Sequence, residues 1–543
     1  MKTKILFISF IVFSLVMSSC LGDLDVTPLD PNRETADNVY SKEGGYLSGL
    51  MKIYSVYAMS GQDGEGSSDI SGMDGGNTQL LRSWWNIQEV TTDEAINSWV
   101  NDPWVKEINE MTWTTGKNEA IEGVYQRCMF IIALTNEYLT QTTEDKVRGR
   151  GQNDETVQMV NGFRNEARFV RALSYYILMD AFAIPPFITE ENYSISPSQI
   201  MRAELFDWIE GQLIDLTTSL PTARSTYGRA DQGAAWALLS RMYLNAEVYT
   251  GTARYTDCIT ASKNVINAGY SLTPDYANIF KADNNVTARN EIIFPICFDG
   301  TATKSWGGMT YLLHSSRSKD EEATLIEAGI NPGGWDGNRA RPEFINKFEF
   351  SNPNYGQDKD AASIKDKRGI FYADGRTLDI ETWGSTFATQ GWAVFKYKNV
   401  DSQGNPAGNN ESPETDFPFF RLGEIYLNYA EAVKRGGQGG SEAQAVEYVN
   451  MLRARGYDGT SGNVTNAQMT LDFLLDERAR ELYWEGVRRT DLIRYDKFTK
   501  STYVWNFKGG IKNGTSVSDH KNVFPIPLSD ISVNPNLVQN PQY

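Results

Sequence analysis

Histidine is almost missing: two residues, His314 and His520, in a chain of 543. So few imidazoles leave little material for a histidine-based catalytic triad or a His-ligated zinc site. Cysteine is scarce as well. Apart from Cys20, only Cys128, Cys258 and Cys297 are present, at unrelated spacings, which excludes a disulfide framework and a zinc pattern. Cys128, inside "YQRCMFIIAL", reads as a small apolar core residue. Positive charge is in deficit: 51 Lys and Arg against 69 Asp and Glu give a net charge of −18. A chain of that sign repels phosphate backbones, so nucleic acid is not an expected partner. The acids are scattered and form no tail-like block. Beyond the first twenty residues, no apolar run is long enough to cross a bilayer.

Aromatic residues are abundant instead, with 13 Trp, 27 Tyr and 25 Phe. At this density they fill packing layers or build flat binding surfaces. The chain exceeds the size at which single cores stop growing, so an array of repeated units or several subdomains is expected. The N-terminal "MKTKILFISFIVFSLVMSSC" has two lysines, an apolar run from Ile5 to Met17, and a small pair before Cys20. It reads as a signal peptide over residues 1–19, and it resembles a bacterial lipoprotein signal in which Cys20 is acylated. Met17 departs from the leucine commoner three places before such a cysteine. Residues 20–40 are acidic and proline-punctuated, as in a tether, and 41–543 form the folded domain.

Helical patterns dominate that domain. "IEGVYQRCMFIIALTNEYL" (121–139) and "GFRNEARFVRALSYYILMDAFA" (162–183) carry broad apolar stripes, and Pro185 and Pro186 stop the second. Arg164, Arg168 and Arg171 recur along the latter at helical spacing and are expected to pair with acids on a neighbouring helix. Two segments carry the tetratricopeptide spacing: Leu422, Gly423 and Tyr426, and Leu239, Ser240 and Tyr243, each followed by a second helix. The small residue is expected to let paired helices approach, and the tyrosine to fill the gap between turns. Two stretches break this rhythm with Gly, Asn and Trp, about 60–104 and 270–415, the latter with short β-type runs such as "EIIFPICF". Irregular insertions on a rigid scaffold are where binding residues usually sit.

Several strings then match a known family. "NEARFVRALSYYILMDAF", "GRADQGAAWALLSRMYLNAEVYTG", "TDFPFFRLGEIYLNYAEA", "ERARELYWEGVRRTDLIRYDKF" and "FPIPLSDISVNPNLVQNPQY" resemble the SusD/RagB family of Bacteroidetes outer-membrane glycan-binding lipoproteins. The resemblance covers nearly all of the chain after Cys20. It implies a mainly α fold: a tetratricopeptide-like scaffold of helical pairs with an irregular, loop-rich binding layer and short β elements. It also implies a lipid-anchored cell-surface protein of the outer membrane, seated over a SusC-like TonB-dependent transporter and passing glycans into it. The match is most similar to the starch-binding member from which the family takes its name. That member's site residues carry over to Asp74 and Arg82 as polar contacts and to Trp99, Trp306 and Trp335 as sugar-stacking rings. Trp306 stands where that member has a tyrosine. An asparagine contact falls on Asp102 with Asn101 adjacent, and Asn97 replaces a tryptophan.

The chemistry of such a set is coherent on its own terms. An indole offers a flat, electron-rich face to the C–H groups of a sugar ring, and three rings on a curve select a coiled α-1,4-glucan over a flat ribbon. A guanidinium or carboxylate holds two neighbouring hydroxyls. The glycines beside Trp306 and Trp335 are expected to leave their ring faces open. Any single tryptophan is otherwise a core residue, and Trp84, Trp85, Trp236 and Trp484 lie in apolar or helical contexts. Trp99 and Trp104 are intermediate, and Arg82 and Asp74 could simply pair with each other. The expected function is non-catalytic binding of starch or maltooligosaccharide. The competing readings are a binder of another glycan, a transporter partner without glycan affinity, and a glycosidase. The last needs two carboxylates at fixed separation, and no pair stands out. Glu477, Glu481, Glu485 and Asp491, among arginines in "LDERARELYWEGVRRTDLIR", read as an internal ion-pair network. No cofactor is expected. A structural calcium ion at 61–69 or 413–417 is left open, although neither stretch has EF-hand spacing and both read as solvated acidic loops.

Overall fold

The computed structural model describes residues 35–352 and 361–543. The signal peptide, Cys20 and most of the tether lie outside the described residues. The helices that build the scaffold are α1 (Gly45–Ser55), α2 (Leu80–Trp85), α3 (Glu119–Gln141), α4 (Asp154–Phe182), α5 (Arg202–Ser219), α6 (Gln232–Leu244), α7 (Tyr255–Asn267), α8 (Gly308–Ser315), α9 (Leu422–Lys434), α10 (Glu442–Gly456), α11 (Leu471–Leu482) and α12 (Arg488–Arg494). Six short strands lie among them: β1 (Ala95–Asn97), β2 (Ile292–Ile296), β3 (Asn338–Ala340), β4 (Phe371–Tyr372), β5 (Ala393–Val394) and β6 (Phe417–Arg421). They form three antiparallel two-stranded ladders, β1–β3, β2–β6 and β4–β5.

The helix starts follow from side chains that satisfy free N-terminal amides. Asn118, Asn153, Asp231, Ser441 and Thr470 cap α3, α4, α6, α10 and α11 in turn. The cap at Asn153 and the acidic first turn behind it start α4 well before its apolar stripe. Neighbouring helices pack as consecutive pairs, α3 on α4, α4 on α5 and α6 on α7. Helix α9 touches α7, α10 and α11. One continuous apolar core runs from Tyr40 to Leu537.

Both tetratricopeptide registers are occupied as that spacing requires, with one difference. In α6, Ser240 Oγ lies 2.9 Å from Ser262 Oγ of α7, so the small residue does bring two helices together. At Gly423 the space is taken by charge: a Cβ there would meet the Arg421 guanidinium and the Glu481 carboxylate. Tyr426 stacks flat on Tyr448 of α10 at 4.5 Å between ring centroids. The arginines of α4 diverge. Arg168 pairs with Asp215 of α5 at 2.8 Å, whereas Arg171 pairs with Glu190 in the following loop. Arg164 bonds to the Leu139 carbonyl and the Thr142 hydroxyl at the end of α3.

A buried ion network ties α11 to the rest. Glu477 contacts Arg368, Arg453 and Arg480, and Glu481 contacts Arg368, Arg421 and Arg455. Glu485 joins Arg421 at 2.6 Å and Lys396 at 2.7 Å, and Asp491 joins Arg478 and Arg494. Five of these cations, Arg368, Lys396, Arg421, Arg453 and Arg455, come from outside the acidic segment. The network therefore pins α11 against the β6–α9 junction and the preceding loops. Burial alone would raise these carboxyls; the surrounding guanidinium groups outweigh it, holding Glu481 at about 2 and Glu477 lower still.

Groups held below their unfolded values stabilise the fold above the ordinary glutamate range, and that stability is lost as pH falls through the folded value. The thermal midpoint is therefore expected to drop as pH is lowered from about 5 towards 2. Arg421→Met is expected to cost about 3–5 kcal/mol at pH 7, because it removes the one guanidinium that Glu481 and Glu485 share and leaves both buried carboxylates under-compensated. Chemical unfolding of wild type and variant across this pH range checks both; an unchanged midpoint for the variant would sink the network's role.

Candidate functional site

Strands β1 and β3 bring together two stretches some 240 residues apart. Ala95 pairs with Ala340 and Asn97 with Asn338. Beyond the ladder, Ser98 N donates to Gly337 O at 3.0 Å, and Ser98 Oγ donates to the Asp336 carbonyl. Trp99 and Trp335 therefore leave the same end of one ladder. The Trp99 indole N–H donates to the Trp335 carbonyl at 2.8 Å. Asn97 is buried; its Oδ1 accepts from Trp99 N at 2.9 Å, and its Nδ2 donates to Asn338 Oδ1 at 2.8 Å. At the position where the resemblance implied a tryptophan, this chain has a residue that fixes the Trp99 backbone.

Trp335 sits at a sharp reversal, with Gly334 and Asp336 on either side at φ of 87° and 52°. One face of its ring is covered by the His314 imidazole, 5.1 Å away and 25° from parallel. His314 is buried, its Nε2 lies 3.1 Å from the Glu411 carbonyl, and burial lowers its pKa to about 4. The scarcity of histidine hid this role: one of the two imidazoles is a neutral flat support under a tryptophan. Trp306 meets Trp335 edge-on, with 6.2 Å between centroids and 63° between planes.

Arg82 occupies the centre. Its guanidinium is 5% exposed and stacks 4.3 Å from the Tyr311 ring of α8 and 5.4 Å from the Trp99 ring. Nη1 donates to the Trp306 carbonyl at 3.2 Å, and Nη2 donates to Asn77 Oδ1 at 2.5 Å. Burial lowers its pKa, opposed by Tyr311, Asp74 and Asp102 nearby. Asp74 does not pair with it. Asp74 Oδ1 accepts from the amides of Gly76 and Asn77 at 2.8 and 2.6 Å, which shapes the turn that presents Asn77. A Cβ at Gly76 would fall 2.9 Å from Trp306 Cβ, so only glycine admits this approach.

These residues border an open cleft of about 670 Å³, lined in part by Asn77, Arg82, Trp99, Asn101, Asp102 and Trp335. Trp306 adjoins it through Trp335, and Asp74 through Asn77. Asp102 precedes the helix Pro103–Glu110 and makes no capping bond to it. The remaining wall holds residues that sequence reasoning missed: Asp320, Asp336, Ser385 and Phe387 among them. Asp336 had a signal, adjacency to Trp335. The 385–388 loop had none, since only folding carries it here.

Four expectations need correction. The glycines after Trp306 do not free its ring; Gly308, at φ 52°, lets α8 begin against the Phe298 ring, and its N–H donates to Gln79 Oε1 at 2.7 Å. Of the tryptophans assigned to the core, Trp84, Trp85 and Trp484 are buried, as is Trp104, whereas Trp236 is half-buried. Residues 80–98, placed in an irregular binding insertion, are buried throughout as α2, a following π-turn over Asn86–Val90 and β1; the run "LLRSWWNIQEV" is apolar enough to join the core. Within 413–417, Asp416 is not a solvated acid: it is buried, accepts from Phe298 N and the Tyr227 hydroxyl, and burial lifts it to about 7. Among the described residues no group of three or more His, Cys, Asp or Glu is arranged to hold a metal ion. No helix there is long and apolar enough to cross a membrane.

Comparison with known proteins places this architecture. Residues 381–543 match the model described as "SusD family", and residues 75–244 match one described as "Starch-binding associating with outer membrane". The chain is 34% identical to the starch-binding protein SusD of Bacteroides thetaiotaomicron, across 98% of this chain and 97% of that protein. It is 21% identical to SusD-like protein P25 of Formosa agariphila, over 98% of each. Among solved structures, a SusD superfamily protein of Parabacteroides distasonis superposes at a TM-score of 0.69 with 21% identity, covering 92% of this chain and 99% of that one. Surface glycan-binding protein A of Bacteroides thetaiotaomicron, in complex with laminarihexaose, gives 0.68 with 18% identity, covering 91% and 98%.

With its pKa near 4, His314 stays uncharged from about pH 5.5 upward. Trp335 fluorescence is therefore expected to be constant between pH 5.5 and 8 and to be quenched as pH falls through about 4. The His314→Gln variant should lose the acid step. A wild-type quench centred near pH 6.5 would show that the ring is not desolvated as described.

Proposed function

The chain belongs to the SusD family, and we propose that it binds starch and maltooligosaccharides at the cell surface without cleaving them. In this reading, acyl chains on Cys20 hold it at the outer membrane, and it hands its cargo to a SusC-like TonB-dependent transporter. The observation that carries the reading is the convergence of Trp99, Trp335 and Arg82 at one open cleft, with Trp306 set edge-on to Trp335 and tied to Arg82 through its carbonyl. Trp306 and Trp335 stand at 63° to each other, so a flat ribbon cannot lie on both rings. A coiled α-1,4-glucan turns between successive residues and can.

The roles divide by accessibility. Half-buried Trp99, Trp306 and Trp335 supply the apolar platform. Asn101 and Asp102 are the accessible polar groups for sugar hydroxyls, and Asn77 joins them. Asp74 shapes the turn behind Asn77. Arg82 borders the cleft while its bonds hold the rings in register. Each ring contributes about 1 kcal/mol beyond its burial, so affinity for a wet, polar ligand is on the order of 10–100 μM or weaker. Weak single sites suit a relay that must release its cargo, and many copies on one polymer restore retention.

Calorimetric titration with maltoheptaose is expected to give saturable heat, and cellohexaose none. Trp335→Ala, Trp306→Ala and Trp99→Ala should each weaken binding by about fivefold or more with the fold intact. Absence of heat at millimolar maltoheptaose would overturn the starch assignment in favour of another glycan or a pure assembly role. Reducing ends accumulating from amylose with pure protein would overturn the non-catalytic one.

A further inference from the structure

The wall of the cleft is unevenly charged. Asp102, Asp320 and Asp336 all line it, and among the described residues Arg82 is the only cation that does. Arg82 is nine-tenths buried with both terminal nitrogens already bonded within the protein, so it offers an incoming anion little. Among the described residues Asp102 and Asp336 make no ion pair. Asp320 pairs at 2.6 Å with Lys319, and both of those side chains are more than half exposed, a geometry of small energetic weight. Arg376 stands behind Phe387, where Nη1 donates to the Phe387 carbonyl and Nη2 to Glu321 at 2.7 Å, so it too is already engaged. Asp74 adds a further acid behind Asn77. The excess of acids persists across a molecule whose net charge is −18.

We propose that this cleft is a site for uncharged glycans and rejects carboxylated or sulfated ones. The inference rests on the glycan-binding reading above and deepens it to a ligand class. Neutral hydroxyls gain from the aspartates, which accept paired O–H groups. A ligand carboxylate or sulfate meets neutral donors such as Asn101 and Ser385 but no unpaired cation among the lining residues, and three carboxylates repel it, an interaction that salt screens over roughly 10 Å at 0.1 M. The discrimination is built from repulsion of the wrong ligand as much as attraction of the right one.

The test uses one backbone in three forms: amylose, amylose oxidised at C6 so that a fraction of its units are glucuronate, and the methyl ester of that oxidised polymer. Retardation of the full mature protein in native gels containing each polymer, backed by calorimetry on matched oligosaccharides, reads the affinities. Amylose and the methyl ester should bind within about threefold of each other, and the carboxylated form about tenfold or more weaker at low salt. The penalty should shrink at 0.5 M NaCl and in the Asp320→Asn/Asp336→Asn double variant, whose binding of amylose need not match wild type for the ratio to be read. Equal binding of carboxylated and esterified polymer overturns the proposal while leaving glycan binding intact. Loss of ester and carboxylate alike places the discrimination in size and also overturns it. No binding of unmodified amylose is the separate failure of the underlying reading.

Discussion

The guanidinium of Arg82 is the point through which the candidate site is assembled. It reaches Trp306 through a carbonyl, Asn77 through an amide oxygen, and the rings of Tyr311 and Trp99 through its face. Three chain segments, around residues 77–82, 99 and 306–311, thus share one planar cation. Burying a charge in this way is costly unless its donors are met, and the lowered pKa of Arg82 records that cost. The aromatic faces and oxygen acceptors return part of it and fix direction as well. A lysine would supply the charge without the plane and could not bridge the same partners.

The second constraint is the β1–β3 ladder. Its three residue pairs are too few to be stable alone, yet they sit on a buried floor where every backbone polar group must be paired. The ladder sets the phase of Trp99 and Trp335, and the Trp99 indole bond to the Trp335 carbonyl then fixes their spacing. The scaffold beneath is rigid for a different reason, the charged network that joins α11 to β6 and the loops. Rings carried by loops can be presented without much ordering cost on binding, because neighbours have already ordered them.

Much of this was legible in the sequence, and the reasons differ by element. Helical pairs were visible because an apolar stripe of period 3.6 and a capping side chain are local facts, as at Asn118 and Ser441. The acidic segment at 475–494 read as an ion network because its arginines stand beside its acids, although Arg368 and Arg421, which come from afar, were not named. The site residues were carried over from a resemblance; local periodicity had nothing to say about Trp306, whose Cβ is packed against Gly76, about 230 positions away. His314 and the 385–388 wall were invisible for the same reason: their roles exist only across tertiary contacts. The buried stretch 80–98 was misjudged because its glycine-rich approach suggested a loop, whereas its own apolar residues decided its fate.

An aromatic cleft on a helical scaffold does not by itself choose its sugar. In the proposed reading, curvature and charge do. The tilt between Trp306 and Trp335 excludes a planar chain on both rings, a steric argument independent of any polar contact. The aspartates at the rim act at longer range and on a different property, the ligand's charge. As proposed, two filters that read different properties multiply: a polymer would have to both coil and be neutral to enter. Neither filter needs tight binding, because each works by making the wrong ligand worse. A site can therefore be selective while its affinity stays low enough for release, which is the combination that a surface relay requires.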